Sequence, residues 1–496
     1  MISASDQVRN AILGRYPLLY LLTWEEARAV QLLEAFSAKL FGNDTSVWIW
    51  SCVSGLSGVG ADSDTKDPLH ALQAITKSQE KGFYILKDFS HFIDDPAVER
   101  ALRDAYYSLQ GKDRFIIVLS PELTIPESLK KEIQLVEMGL PDETELLRQL
   151  KRIQQSYPQA DLGEELTGRI VFALKGLSSN EVNHILHRIF RSKKTGPDEF
   201  LAEIFSEKEL IVKKTGYLEF VAPMMGIGEM GGLDNLKDWL LKRQSLFSQR
   251  ALDDGMPVPR GILLMGMSGC GKSLAAKAIS TLWKVPLFRL DMNLVFSGMY
   301  GSAELAFHSA LATVEAVAPA VLWIDELENS LGMDEGASGG ATNSHIFSAF
   351  LTWMQEKSPL VFVAATANRI QALPAEVIRK GRFDQVFFID LPNDEERKQI
   401  FEIHLRRNGA DPSEFDRVFL AAATKGWNGA EIEQAIVSAR VDAYHEQRTF
   451  TIDDITRNTS RMVPLSKTME EQMKKIRSWA FGRATPASKY ANVPRY

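Results

Sequence analysis

The sequence contains very little cysteine. Among its 496 residues, the only cysteines are Cys52 and Cys270. Two cysteines are too few for a disulfide framework, and neither they nor the scattered histidines have the spacing of a zinc site. We therefore expect a chain that folds in a reducing compartment and is stabilised by its hydrophobic core.

Long apolar segments and an excess of positive charge are also missing. The apolar stretch at residues 16–22 is far too short to span a bilayer, and charge occurs within the first ten residues, unlike a secretory signal. The net charge of −7 argues against a general nucleic-acid coat but leaves local basic surface open. These absences favour a cytoplasmic protein without a membrane partner, or one in an equivalent organelle lumen such as the plastid stroma.

A glycine-rich turn follows an apolar run in the second half of the chain. Residues 261–280 read GILLMGMSGCGKSLAAKAIS, which is typical of a buried strand, a turn and an alanine-rich helix. The glycines would let backbone N–H groups face an anion, and a helix beginning at Lys272 would direct its positive end there. Lys272 would reach the β- and γ-phosphates and Ser273 would hold Mg²⁺. The nucleotide-binding residues predicted in this loop are Gly266, Ser268, Gly269, Cys270, Gly271, Lys272, Ser273 and Leu274.

Cys270 lies inside this loop and has two interpretations. The end of the helix could lower the pKa of the thiol and make it oxidisable. Alternatively, Cys270 is simply a small residue that fits the turn.

Two further predicted strands end in polar side chains. The strand at residues 321–324 ends in Asp325 and Glu326, of which Asp325 would bind Mg²⁺ through water and Glu326 would polarise the attacking water. The strand at residues 360–366 leads to Asn368. We interpret Asn368 as a phosphate sensor that orients the same water, with a turn-forming asparagine as the alternative.

Arg379 and Arg382 lie three residues apart on either side of a glycine. Two arginines at this place cannot easily serve the nucleotide of their own chain. The motif pattern suggests that they stabilise the transition state at the γ-phosphate bound by an adjacent subunit. A solvated arginine pair is the alternative.

Together these motifs resemble those of the AAA+ ATPases. They comprise the GMSGCGKS loop, the VLWIDE and ATAN strands, the RKGRFD box and GAEI at residues 429–432, and the resemblance covers about residues 224–465. It implies a P-loop ATPase subdomain at residues 224–392, a helical lid at residues 393–465, bound ATP and Mg²⁺, and a homo-oligomeric ring, specifically a hexamer.

The resemblance also assigns roles outside the main motifs. Residues 229–233 (EMGGL) look like the segment that lines the adenine pocket, and His404 looks like the lid histidine near the ribose. Gly429 and Ala430 stand where other AAA+ clades place a sensor arginine, so they are assigned to the nucleotide site without such an arginine. WIDELE, FLTWMQEK and TANRIQALPAEVIRKGRFDQVFFIDLP resemble the cyanobacterial and plastid "hypothetical chloroplast reading frame 46" group.

The first half of the chain repeats the second half in weakened form. Residues 175–182 align with 425–432 at nearly the same offset as 140–143 with 391–394, and short apolar runs alternate with helix-length segments. Where a phosphate loop should follow the first run, residues 23–26 read TWEE. We therefore predict an α/β fold with two P-loop-type AAA+ parallel-sheet domains, each with a helical lid. The copy at residues 1–210 is degenerate, and an unrelated α/β domain is the alternative.

Other segments bear on organisation and substrate. Residues 207–228 are interpreted as the connection between the halves. Met299 and Tyr300 stand where many protein-translocating rings carry a gripping aromatic residue, and the glycine- and serine-rich residues 332–344 fit either a second pore loop or a turn. The tail at residues 466–496 combines seven Lys or Arg residues with aromatic residues, which suits nucleic acid, an acidic neighbour or simple solvation.

The sequence thus predicts an ATPase that hydrolyses Mg·ATP at subunit interfaces of a ring to remodel or regulate a partner protein. One alternative is a nucleotide-gated interaction scaffold with slow turnover. Another is a nucleic-acid-dependent motor or loader that uses the basic tail. Unfolded or partner protein would stimulate a remodeller, whereas nucleic acid would stimulate a loader with a steep salt dependence.

Overall fold

The computed structural model describes residues 4–41, 46–57, 63–157, 162–192, 196–214, 216–222, 226–297, 302–330, 340–369, 373–379 and 381–489. The chain divides into two compact units. The first comprises Met1–Asp142 with Ser178–Asn180, and the second comprises Glu143–Leu177 with Glu181–Tyr496. Met299 and Tyr300, predicted to face a ring pore, and residues 332–339 of the second predicted pore loop lie outside the described residues.

The first unit is built on a six-stranded sheet. Its strands are β1 (Leu18–Leu22), β2 (Val47–Ser51), β3 (Gly55–Leu56), β4 (Gly82–Lys87), β5 (Arg114–Ser120) and β6 (Ile133–Glu137), and its helices are α1 (Ala4–Leu13), α2 (Glu26–Phe41), α3 (Pro68–Lys77) and α4 (Pro96–Leu109). The order is β3-β2-β4-β5-β1-β6, parallel except for β3. Along β1, Leu18 and Tyr20 belong to one core cluster while Leu19 and Leu21 belong to another, so both faces of the sheet are covered.

The second unit contains a seven-stranded sheet. Its strands are β7 (Leu218–Val221), β8 (Gly261–Gly266), β9 (Leu287–Leu290), β10 (Ala320–Ile324), β11 (Val361–Ala367), β12 (Gln385–Ile389) and β13 (Thr485–Pro486). They lie in the order β13-β12-β8-β11-β10-β9-β7. Among the strands that the structure describes in this sheet, the edge strand β7 alone runs antiparallel to its neighbour. β8, β10 and β11 are buried throughout, which explains their uninterrupted apolar sequences.

Two helical groups have cores of their own, and apart from the first two residues of α7 they belong to the second unit. The first group is α5 (Glu143–Gln155), α6 (Glu164–Leu174), α7 (Ser179–Arg191) and α8 (Pro197–Lys213). The second group is α17 (Asp394–Arg407), α18 (Arg417–Ala423), α19 (Gly429–His445) and α20 (Ile452–Arg461). The remaining helices are α9 (Asp234–Gln244), α10 (Gln249–Asp253), α11 (Lys272–Trp283), α12 (Met292–Phe296), α13 (Ala303–Ala316), α14 (Leu327–Ser330), α15 (Gly340–Glu356), α16 (Ala375–Ile378), α21 (Leu465–Thr468) and α22 (Glu470–Ala480).

The two sheets share one topology. Numbered along the chain, five parallel strands in each sheet lie in the order 5-1-4-3-2, as β6-β1-β5-β4-β2 and as β12-β8-β11-β10-β9, and β13 adds a further parallel strand to the second sheet. Each set of strands is followed in the chain by a group of helices. The α/β fold with two related parallel sheets, expected from the faint internal repeat, is therefore confirmed.

Two segments differ from the sequence expectation. Residues 207–228, interpreted as a connection, contain the end of α8 and the whole of β7, which pairs with β9. Residues 466–489 of the basic tail contain α22 and β13, and β13 extends the second sheet beyond β12. That part of the tail is therefore structured. Within the described residues, every helix is too short or too polar to cross a bilayer.

Candidate nucleotide site

A cavity of about 380 Å³ lies where the strands of the second sheet end. The carboxyl ends of parallel strands meet at one edge, so loops that are far apart in the chain converge there. The cavity is lined by these residues predicted from the sequence: Ser268, Gly269, Cys270, Gly271, Lys272, Ser273, Leu274, Asp325, Glu326, Asn368, His404, Gly429 and Ala430. The remaining predicted residues, Gly266, Arg379 and Arg382, do not line it.

The glycine-rich loop has the conformation that the sequence predicts. Gly269 and Gly271 have φ angles of +80° and +94°, and α11 begins at Lys272. A Cβ atom at position 269 would lie 2.8 Å from the side-chain amide nitrogen of Asn428, which is too close for any side chain. Glycine at position 269 is thus favoured for two reasons: the positive φ angle and the close approach of the Asn428 side chain from the helical lid.

Lys272 is buried beside this loop. Its ammonium donates hydrogen bonds to the carbonyl oxygens of Gly266 at 2.9 Å and Met267 at 2.8 Å. Burial lowers the pKa of Lys272, and nearby acidic groups oppose the shift. The side chain is held at the cavity wall by two backbone acceptors, which phosphate oxygens can replace.

Cys270 does not have the properties of a reactive thiol. Burial raises the pKa of its thiol to about 12, and the positive charge of Lys272 offsets this only in part. The interpretation that the helix end activates Cys270 is therefore wrong. The thiol stays protonated, and the residue acts as a small apolar side chain.

An acidic cluster lies at the ends of β10 and β11, which are adjacent and parallel. The hydroxyl of Thr366 donates to Asp325 Oδ1 at 2.6 Å and accepts from the backbone N–H of Glu326 at 2.9 Å. Asn368 Nδ2 donates to Glu326 Oε1 at 2.8 Å. Glu326 has a φ angle of +48°, an unfavourable conformation that occurs mostly at functional sites.

Glu328 supports this cluster and was missed by the sequence reasoning. It is only 1% exposed, and its Oε1 accepts the backbone N–H groups of Asn368 at 2.8 Å and Arg369 at 2.9 Å. A carboxylate that binds two consecutive N–H groups fixes the turn that carries the Asn368 side chain. The available signal was a third acidic residue, two positions after Glu326, in the DELE sequence.

The two predicted arginines lie away from the cavity. Arg379 is exposed at the end of α16, and the guanidinium of Arg382 donates to the carbonyl of Glu376. The cavity lining therefore lacks both arginines. Donation to an adjacent subunit, the interpretation drawn from the sequence, stays a prediction.

The lid contacts the phosphate loop directly. The Ala430 N–H, at the start of α19, donates to the carbonyl oxygen of Gly269 at 3.2 Å. The side chain of Asn428 caps the same helix by accepting the N–H of Glu431 at 2.9 Å. Gly429 and Ala430 thus reach the cavity through the N-terminus of α19.

Apolar side chains line another part of the cavity, which we call the apolar end. They are Met230 and Leu233, from the segment that the sequence assigned to the adenine pocket, and Ile400 and Ile403 of α17. His404 is buried there, and burial lowers the pKa of its imidazole, against the opposing charge of Glu433. Its Nδ1 lies 3.6 Å from Glu433 Oε1 and has no hydrogen bond among the described residues. Such a buried nitrogen is available to a ligand.

The lining fits an adenine nucleotide. The backbone N–H groups of the glycine-rich loop, the N-terminus of α11 and Lys272 can bind phosphate oxygens. The apolar end can pack against a planar base. Asp325 and Ser273 carry the oxygen ligands that Mg²⁺ prefers. The sequence reasoning missed Asp390 at the end of β12 and Ser488 after β13, which also line the cavity.

Two family models match this chain. Residues 262–391 match the ATPase family associated with various cellular activities (AAA). Residues 4–138 match the N-terminal domain of SpoVK-like AAA ATPases. The fold, the site and these matches define an AAA ATPase.

Relatives identify the family within this class. The AAA domain-containing protein ycf46 of Trieres chinensis is 35% identical over 482 residues, which is 96% of each chain. The ycf46 protein of Guillardia theta is 36% identical over 472 residues, 94% of this chain and 93% of that protein. The chain belongs to the ycf46 family of AAA domain-containing proteins. It is also similar to the cell division cycle protein 48 homologue of Archaeoglobus fulgidus, 28% identical over 72% of this chain and 52% of that protein.

Proposed function

We propose that this protein hydrolyses Mg·ATP at the interfaces between neighbouring copies of the chain in a ring, and that it uses this hydrolysis to remodel or regulate a partner protein. The observation that carries the proposal is the composition of the cavity. Its lining supplies a phosphate loop, a lysine, two carboxylates and a sensor amide, while Arg379 and Arg382 of the same chain lie outside it.

Binding of the nucleotide follows from the lining. Lys272 exchanges the carbonyl oxygens of Gly266 and Met267 for β- and γ-phosphate oxygens, and the N–H groups at the start of α11 bind the same phosphates. Ser273 and Asp325 would hold Mg²⁺, which neutralises charge on the phosphate oxygens when it is bound.

Glu326 is the proposed general base. It accepts a proton from the water whose oxygen attacks the γ-phosphorus, and the bond from that phosphorus to the β–γ bridging oxygen breaks. ADP leaves with the bonding electrons, and inorganic phosphate is the second product. Asn368, whose amide already contacts Glu326 at 2.8 Å, orients the water and senses the γ-phosphate.

The arginines complete the site from the neighbouring subunit. Charge that develops on the transferred phosphoryl group needs positive compensation beyond Lys272 and the metal. An exposed Arg379 beside Arg382 suits donation across an interface between copies. Head-to-tail contacts of this kind generate a closed ring when the rotation between copies closes.

A nucleotide-gated scaffold with slow turnover is the second candidate, and one observation favours it. Glu326 is bonded on both carboxylate oxygens, by Asn368 at 2.8 Å and by Asn329 at 2.7 Å. Both carboxylate oxygens are therefore partly occupied by amides, and less of their lone-pair capacity remains for an attacking water. Nucleotide would then set the state of the protein while hydrolysis stays slow.

Steady-state ATP hydrolysis measured against protein concentration tests the proposal. We expect the rate per subunit to rise with concentration and to collapse in the Arg379→Ala/Arg382→Ala variant. A negligible rate that does not depend on concentration, with ATP binding intact, would favour the scaffold. Stimulation by an unfolded protein, rather than by nucleic acid with a steep salt dependence, would support the remodelling role.

A further inference from the structure

Ser488, close to the end of the described residues, lines the nucleotide cavity. We propose that residues 484–489, the C-terminal segment, form a subsite for the adenosine part of the nucleotide, with Ser488 as a specificity-determining residue. The proposal rests on the proposed function, because its ligand is the nucleotide that is hydrolysed at this cavity.

The C-terminal segment is fixed to the sheet on one side. Thr485 and Pro486 pair with Phe387 and Phe388 of β12, and the Ala487 N–H donates to the Phe388 carbonyl at 2.9 Å. Ala487 is fully buried within a core cluster of the ATPase sheet. The segment is thus an edge strand with its own buried anchor.

Helix α9 holds the segment on the other side. The Leu236 N–H donates to the Ala487 carbonyl at 3.2 Å. The side-chain amide of Asn235 donates to the carbonyls of Pro486 at 3.0 Å and Ser488 at 3.1 Å. These bonds span about 250 residues of chain and place Ser488 beside the first turn of α9.

Helix α22, which precedes the segment, is tied to a residue of the cavity wall. Arg477 donates three hydrogen bonds of 2.8 to 3.1 Å to the carboxylate of Asp390, which lines the cavity at the end of β12. The guanidinium compensates a negative charge that would otherwise face an anionic ligand. The tail therefore holds one residue of the cavity lining in place, through Arg477, and contributes another, Ser488.

The position of Ser488 indicates which part of the nucleotide it meets. The phosphate end of the cavity consists of the loop before α11 and the acidic cluster at the ends of β10 and β11. Asn235 binds the carbonyl of Ser488, and Leu236 binds the carbonyl of Ala487 before it; both lie in the first turn of α9, which begins at Asp234, right after the EMGGL segment at the apolar end. A serine hydroxyl there can donate to or accept from a base or ribose.

Calorimetric titration of the full chain with ADP, ATP and inorganic tripolyphosphate separates the two ends of the site. Asn235→Ala removes both bonds to the segment, and Ser488→Trp places a large side chain in the cavity wall. Asn293→Ala and Ser478→Trp make the same changes at exposed positions and serve as matched controls.

We expect both test variants to raise the Kd for ADP and ATP about tenfold or more and alike, because each loses contacts to the adenosine part. Tripolyphosphate should bind as to the wild type, and the controls should be unchanged. Unchanged ADP binding in Asn235→Ala, which deletes only an amide, would overturn the proposal, as would an equal loss of tripolyphosphate binding. Wild-type protein that binds neither nucleotide would instead refute the proposed function.

Discussion

The side-chain amide of Asn368 donates a 2.8 Å hydrogen bond to Oε1 of Glu326. The two side chains follow adjacent parallel strands, so the pair joins the proposed base of hydrolysis to the proposed γ-phosphate sensor. A second amide, that of Asn329, occupies the other carboxylate oxygen at 2.7 Å. The two amides provide a matched comparison.

Replacing Asn368 tests the sensor role. In Asn368→Ala, the rate of ATP hydrolysis should fall about 100-fold, because a positioned polar group that orients water in the transition state is lost. The Kd for ATP should change little. Asn329→Ala also removes a side-chain amide that is hydrogen-bonded to Glu326, and the ATPase rate of this variant should not fall. Equal rate losses in the two variants, measured by phosphate release, would remove the special role of Asn368.

Glu328 should act through the turn that carries Asn368. In Glu328→Ala, the N–H groups of Asn368 and Arg369 lose their charged acceptor, which should cost about 1–3 kcal/mol of unfolding free energy and lower kcat without altering the Kd for ATP. Urea unfolding and phosphate release measure the two effects. Glu356→Ala, at an exposed position, is the control. A loss of stability with full activity would show that Glu328 is purely structural.

Gly269 should be needed for the contact between loop and lid. Gly269→Ala combines an unfavourable φ of +80° with a clash against Asn428, whereas Gly111→Ala has a φ of +72° and open space around the new Cβ. Both should lose about 1 kcal/mol of stability from backbone strain. Only Gly269→Ala should also raise the Kd for ATP, by about tenfold or more, since the lid must move. Calorimetric titration with ATP measures the Kd of both variants. An unchanged Kd in Gly269→Ala would contradict the contact described between loop and lid.

Lys208 predicts a pH dependence of stability. It is fully buried, its ammonium donates to the carbonyl oxygen of Val317 at 2.9 Å, and burial lowers its pKa to about 7 from the ordinary value of 10.5. Between these pH values the unfolded chain binds more protons at Lys208 than the folded chain does, so stability rises with pH. The slope is up to about 1.4 kcal/mol per pH unit. Below pH 7 both states are protonated and the full destabilisation remains.

The Lys208→Met variant should flatten this rise. Urea unfolding at pH 7 and pH 9.5 should show a larger gain in stability for the wild type than for the variant. Lys214→Met, near the end of the same helix and exposed, should keep the wild-type slope. An identical slope in Lys208→Met would mean that Lys208 titrates normally in the folded chain.

Local motifs account for the features that could be predicted from the sequence. The loop around Lys272, the strand before Asp325 and the start of α11 depend on neighbouring residues, and the structure matches these expectations closely. The internal repeat was also visible, because buried parallel strands appear as apolar runs at regular spacing. The motifs and the spacing of the apolar runs can each be recognised within a few dozen consecutive residues.

The remaining features depend on contacts between distant parts of the chain. Nothing near Ser488 indicates that Asn235 binds its carbonyl or that the segment pairs with β12, so a basic tail could only be judged by its composition. The sequence left two interpretations of Cys270 open, and only the structure shows that burial raises the pKa of its thiol, which favours the small residue that fits the turn. Asp390 could have been found, since it ends an apolar strand whose carboxyl end reaches the same edge of the sheet as Asp325.

Mixing two inactive variants tests the central claim most directly. Lys272→Ala lacks the phosphate-binding lysine but keeps its arginines, and Arg379→Ala/Arg382→Ala has the reverse defect. If the arginines act on the neighbouring subunit, an equal mixture assembled into random rings should regain about one quarter of the wild-type ATPase rate. If the mixture stays as inactive as its two components while both variants still assemble together, hydrolysis between subunits is contradicted.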